Sequence, residues 1–127
     1  MADSRMNIRV VDDFSTMRRI IKNVLRQLGH INILEADDGT SAMEVLRSEK
    51  GDFIISDWNM PQMRGIELLT AVRTSEEWRD MLFLRVTAEG QKEKVIEAVK
   101  NGVNNYIVKP FTPDTLTEKI NKVFEGK

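Results

Sequence analysis

Cysteine is absent from these 127 residues, and histidine occurs once, as His30. Disulfides and thiolate metal sites are therefore excluded, as is a histidine-rich metal cluster; a metal here would have to be held by oxygen atoms. Charge of one sign is lacking too: 19 basic residues stand against 20 acidic ones, for a net charge of −1, and no basic run could neutralise several phosphates. A nucleic-acid partner is not expected. Long hydrophobic runs are missing as well. None approaches the roughly 20 apolar residues that cross a bilayer, and the opening Met-Ala-Asp-Ser-Arg-Met has no signal-peptide core. The chain is accordingly expected in the cytoplasm, without a membrane partner. Linker-like Gly/Ser or Pro-rich stretches and repeats do not occur, so residues 1–127 are expected to form one domain, of about the size one hydrophobic core requires.

What is present has the balance of a folded globular chain, with 41% apolar and 31% charged residues. Short apolar runs rich in β-branched residues occupy 6–11, 32–36, 53–57, 82–87 and 105–108, a length that suits strands. Between them lie helical patterns. The clearest stripe is Met17, Ile20, Ile21, Val24, Leu25 and Leu28, followed by Leu116, Ile120, Val123 and Phe124. Weaker ones are Ala42, Val45 and Leu46; Ile66, Leu69 and Val72; and Val95, Ile96 and Val99. Gly29 and Gly102 fall just past two stripes, where a residue at positive φ commonly ends a helix. Thr112 before Pro113 reads as an N-cap followed by proline at the first helical position. Five strands alternating with five helices imply an α/β fold, a parallel sheet covered on both faces.

On that pattern the reactive side chains gather at one edge. Asp12 and Asp13 end the first strand, Asp57 the third and Thr87 the fourth, while Lys109 follows the fifth. The carboxyl ends of strands in an open parallel sheet are where ligands bind, so these residues can converge. Singly each has a plain explanation: Asp begins turns, Thr favours strands, and Lys after a strand is usually solvated. Together, three carboxylates repel one another and call for a cation. Carboxylate ligation with retained waters suits Mg²⁺, and Mn²⁺ would also fit. Around a transferring phosphoryl group, Asp57 can be the nucleophile, the cation and Lys109 can neutralise the equatorial oxygens, and the Thr87 hydroxyl can donate a hydrogen bond to one of them.

Val-Val-Asp-Asp-Phe-Ser-Thr-Met-Arg-Arg (10–19), Asp-Trp-Asn-Met-Pro-Gln-Met-Arg-Gly (57–65), Val-Thr-Ala-Glu (86–89) and Tyr-Ile-Val-Lys-Pro-Phe-Thr (106–112) together resemble a bacterial response-regulator receiver domain over essentially the whole chain. Within that family the first two segments are most similar to the chemotaxis regulators. The resemblance implies a flavodoxin-like, doubly wound (βα)5 fold with strand order 2-1-3-4-5. It implies a phosphoryl group taken onto Asp57 from the phosphohistidine of a chemotaxis-type histidine kinase. Mg²⁺ would be held by Asp12 or Asp13, Asp57 and the Asn59 backbone carbonyl, with Asp13 as the direct ligand. Thr87 and Lys109 would contact the phosphoryl group, and the Lys109–Pro110 bond would be cis. Asn59 and Glu89 stand where the family tunes loss of the phosphoryl group to water; surface solvation explains them equally well. Ala88 is small, leaving room beside the phosphoryl group, so the aspartyl phosphate should be transient. The protein would not be an enzyme in the ordinary sense, promoting only its own phosphotransfer and dephosphorylation.

Output would come from a changed binding surface, since a chain of this length is not expected to carry a second module. By the same resemblance, Thr87 moves toward the phosphoryl group and Tyr106 rotates into the vacated space. The partner surface would include Lys92, Val95, Tyr106, Val108, Lys119 and Lys122. A flagellar motor switch protein would be the target, the kinase and a dedicated phosphatase would be further partners, and the chain would act as a monomer. Packing of Tyr106 in the last strand and a solvated lysine face are the simpler alternatives. Arg85 departs from the pattern, placing a charge mid-strand on the face shared with Thr87; its guanidinium is expected to reach outward or to pair with an acidic neighbour. Rival readings fare less well. An FMN binder would need glycine in the first turn, which is Asp12-Asp13-Phe14-Ser15-Thr16. A Mg²⁺-dependent phosphatase would need a separate acid or capping segment, and none is evident. A receiver signalling without phosphate would not need the reactive residues, all of which are present.

Overall fold

The structure, a computed structural model, describes residues 6–48, 51–57, 65–88, 103–109 and 111–125. Five parallel strands form its centre: β1 (Asn7–Val11), β2 (Asn32–Ala36), β3 (Phe53–Asp57), β4 (Leu82–Ala88) and β5 (Asn105–Lys109). They lie in the order β2-β1-β3-β4-β5, the flavodoxin-like order expected. Four helices stand among the described residues: α1 (Ser15–Gln27), α2 (Gly39–Ser48), α3 (Gly65–Thr74) and α4 (Pro113–Glu125). The helical pattern through Val95, Ile96 and Val99, together with Gly102, lies outside them, as do Asn59, Glu89, Lys92 and Pro110. No helix among the described residues is long and apolar enough to cross a membrane.

Because side chains alternate along a strand, each strand feeds two cores. Ile8, Val10, Phe53, Ile55, Leu84, Val86 and Ile107 pack with Ile21, Val24 and Leu25 of α1 and Leu116, Ile120 and Val123 of α4. On the other face, Val11, Ile54 and Phe83 pack with Ala42 and Leu46 of α2 and Leu68, Leu69 and Val72 of α3. The α1 stripe is narrower than its sequence suggested: Ile20 and Leu28 are exposed, because a helix lying on one layer of a sheet buries only the central line of its apolar arc.

Helix ends follow their local chemistry. Gly29, at φ 95°, adopts the left-handed conformation; its N–H donates to the Arg26 carbonyl and the His30 N–H to that of Leu25, the two bonds of a Schellman ending. Thr112 Oγ1 accepts the Thr115 N–H at 3.2 Å, and Pro113 follows at the first helical position. Asp38 caps α2 in the same way, accepting the Ser41 N–H at 2.8 Å.

Two arginines lie in the sheet itself. Arg85 is fully buried and does not reach outward as expected; in mid-strand, covered on its face, it has no route to solvent. Arg9 in β1 is also buried, and the absence of a side chain at Gly51 lets the chain pass it, since a Cβ there would lie 3.2 Å from Arg9 Cγ and from Leu46 Cδ2. A third arginine acts as a clamp. Arg73 donates to the carbonyls of Arg79 (3.0 Å) and Met81 (2.6 Å) and to Asn104 Oδ1 (3.1 Å), tying the α3–β4 connection to the entry of β5.

Candidate functional site

From β1 the chain turns to β2 on one side of the sheet and then crosses to β3 on the other, so the order reverses between β1 and β3. In an open parallel sheet such a reversal is the point beyond the strand carboxyl ends where ligands bind. Register fills it: Val11 pairs with Ser56, which brings the next residues, Asp12 and Asp57, level with each other. Asp13 follows Asp12 in the turn to α1. One carboxylate oxygen from each of Asp12, Asp13 and Asp57 lies within 4.8 Å of the others. Asp12 is fully buried, Asp57 nearly so and Asp13 exposed.

A cation of the chain's own faces this cluster. Lys109 ends β5 beside Ala88, and its Nζ lies 3.3 Å from Asp57 Oδ1 and 3.4 Å from Asp12 Oδ2. Burial, the largest influence, pushes the Asp12 carboxyl above its ordinary pKa; the Phe14 N–H and Lys109 pull it down, and Asp13 pushes it further up. One lysine does not compensate three carboxylates. The excess negative charge and the all-oxygen donor set fit a hard divalent cation such as Mg²⁺.

Supporting contacts hold the carboxylates in place, made by residues to which motif and spacing assign no role. Phe14 N–H donates to Asp12 Oδ1 at 2.9 Å. Arg18, one turn into α1, donates to the Asp12 carbonyl and to Glu35, which also pairs with Lys22. The Ser56 hydroxyl donates to the Asp57 carbonyl at 2.8 Å. Ser56 carried a legible signal, being the one hydroxyl in a wholly buried strand.

Of the sequence-predicted residues, the fold thus brings together Asp12, Asp13, Asp57 and Lys109. Thr87 stands in β4 opposite Val108, at the same edge of the sheet. Tyr106 is half-buried in β5, with Lys119 Nζ 4.9 Å from its ring centroid. Val108 is half-buried, whereas Lys122 is exposed and pairs with Glu118 one turn away. Val95 lies outside the described residues with Lys92, Asn59 and Glu89.

Comparison with known proteins agrees with this geometry. The chain is 58% identical over 120 residues to the chemotaxis protein CheY of Pseudomonas aeruginosa, covering 94% of this chain and 97% of that one. It is 54% identical over 123 residues to CheY-3 of Vibrio cholerae, covering 97% and 95%. Among solved structures, the chemotaxis response regulator CheY4 of Vibrio cholerae superposes with a TM-score of 0.86 at 33% identity, covering 94% of this chain and 98% of that one. Residues 8–121 match the model of the response regulator receiver domain, and the chain belongs to that family.

Proposed function

We propose that this protein is a phosphorylation switch of a chemotaxis two-component system, with Asp57 as the phospho-acceptor. The observation that carries the reading is Lys109 Nζ lying between Asp57 and Asp12 in a cluster of three carboxylates. An Asp57 carboxylate oxygen attacks the phosphorus of a kinase phosphohistidine. The new P–O bond forms as the P–N bond breaks, and the imidazole departs with the bonding pair and takes up a proton. Lys109 neutralises charge on the equatorial oxygens, and the Thr87 hydroxyl donates to one of them. Asp13 and Asp57, with Asp12 beside them and the Asn59 carbonyl, would hold Mg²⁺, which supplies further charge neutralisation when bound. Loss of the phosphoryl group to water, tuned at Asn59 and Glu89, resets the switch.

The readout is a surface. Movement of Thr87 and rotation of Tyr106 alter the face that includes Lys92, Val95, Val108, Lys119 and Lys122, and so its affinity for a motor switch protein. Two relatives bearing chemotaxis names at 58% and 54% identity over almost the full chain favour this output. Intact-protein mass spectrometry after acetyl phosphate and Mg²⁺, on the parent and on Asp57→Asn, tests the acceptor. One phosphoryl adduct is expected on the parent and none on the variant; an unmodified parent, or equal adducts on both, would overturn the assignment.

A further inference from the structure

We infer that Lys119 is a latch that holds the Tyr106 ring outward over the β5 edge and sets the resting ratio of the switch. The sides of the sheet provide the reason. α4 packs through Leu116, Ile120 and Val123 against the face that carries Ile107. Tyr106 precedes Ile107 in β5, so its side chain leaves from the opposite face. β5 is the last strand of the sheet. A lysine on α4 can therefore come to 4.9 Å from the Tyr106 ring centroid only where that ring leans around the free edge.

Two further observations agree. Lys119 is half-buried, unlike Lys122 on the same helix, as expected of a stem laid along the strand edge rather than projecting into water. The Tyr106 N–H is taken up by Asn105 Oδ1 at 2.8 Å, a backbone contact that turning the ring need not break. An ammonium over an aromatic face favours that position by attraction to the ring quadrupole, and the attraction is lost when the ring turns inward. Lys119 is thus a positioning residue that opposes activation until phosphorylation outweighs it.

Tyr106 is the only tyrosine in the chain, so 3-fluorotyrosine labelling yields a single-site ¹⁹F probe. Broadening of its resonance by a soluble paramagnetic chelate grades ring exposure. Lys119→Met keeps the stem and removes the charge; Lys119→Arg keeps the charge. In the unphosphorylated protein, Lys119→Met is expected to shift the outward-to-inward ratio about threefold toward inward, with Lys119→Arg close to the parent. A Lys119→Met spectrum identical to that of the parent, or an equal shift in Lys119→Arg, would overturn the latch. Its consequence for signalling rests on the switch reading above, and the two fail separately. If Lys119→Met moves the resonance while acetyl phosphate and Mg²⁺ leave the parent's unmoved, the latch stands and the coupling of Asp57 to Tyr106 falls.

Discussion

Asp12 carries its charge where the fold least favours it. Its side chain is fully buried, and burial with Asp13 nearby raises its pKa despite the Phe14 N–H and Lys109. Relieving such a strain stabilises a fold at the expense of function. Asp12→Asn keeps the size and an acceptor for Phe14 while removing the charge. With chelator present its Tm should exceed the parent's by about 3–5 °C, on the order of 1 kcal/mol. Because folded Asp12 holds its proton above the ordinary value of 3.8, the folded state binds more protons than the unfolded one in that window. The parent therefore loses stability from this group as pH rises through it, and the variant does not. Thermal melts of both proteins across the acid range measure the difference; a variant less stable than the parent at neutral pH would refute it. Arg85 poses a similar question in the opposite sign of charge. It is fully buried beside its register partners Ser56 and Tyr106, and an apolar group of similar reach would avoid the cost of burying its charge, at the loss of the interactions the guanidinium makes there. Arg85→Met is expected to raise Tm by a few degrees, about 1 kcal/mol, in a paired melt. An unchanged or lower midpoint would mean that its interactions repay its desolvation.

At the scale of elements, the ending of α1 and the last turn of α4 share one titratable group. His30 follows Gly29 in the Schellman ending, is buried, and tilts against Phe124 at 5.9 Å between ring centroids, with Phe124 edge-on to Phe53 at 5.4 Å. Its Nδ1 has no hydrogen-bond partner. Burial lowers its pKa from 6.5, so below that value the unfolded chain binds the extra proton first. The stability this group contributes is complete above pH 6.5 and is lost as pH falls through the lowered folded value, at up to about 1.4 kcal/mol per pH unit. His30→Phe keeps a ring against Phe124 and should flatten the acid limb of a denaturant-stability profile just below pH 6.5; a profile parallel to the parent's would show that another group governs it. These elements are also the most legible in the sequence. The strands agree with the apolar runs to within a residue at either end, most firmly for the central ones, since a parallel strand buried on both faces must be apolar nearly throughout. Gly29 marks a helix end through its backbone freedom and Thr112 through its capping hydroxyl. Less is readable where a residue acts across the fold: Arg73 bonds to carbonyls six and eight residues away and to Asn104, and no local pattern announces such a clamp.

For the whole molecule, the site was legible because strand order alone carries distant residues to one edge. Asp12, Asp57 and Lys109 each sit at a strand end, and a parallel sheet reversing between β1 and β3 must bring the first two together. The supporting contacts of Ser56 and Arg18 depend on side-chain directions that spacing does not supply. The same topology makes the cation site a property of the folded state only, since its carboxylates stand some 45 residues apart in sequence. An unfolded chain cannot hold a compact carboxylate cluster against its own repulsion, so on the proposed reading Mg²⁺ would bind the native form alone and stabilise it by mass action. The gain is RT ln(1 + [Mg²⁺]/Kd), about 2.7 kcal/mol at a hundredfold excess over Kd. Tm should therefore climb with the logarithm of Mg²⁺ concentration once Kd is passed. Asp13→Asn and Asp57→Asn should flatten that climb, and monovalent salt matched in ionic strength should reproduce only the small part due to screening. Trp58 follows Asp57 directly in sequence, and its fluorescence in the same titration should change with the midpoint that the melts give. A Tm indifferent to millimolar Mg²⁺, or a shift equalled by monovalent salt, would mean that Asp12, Asp13 and Asp57 converge without binding the cation.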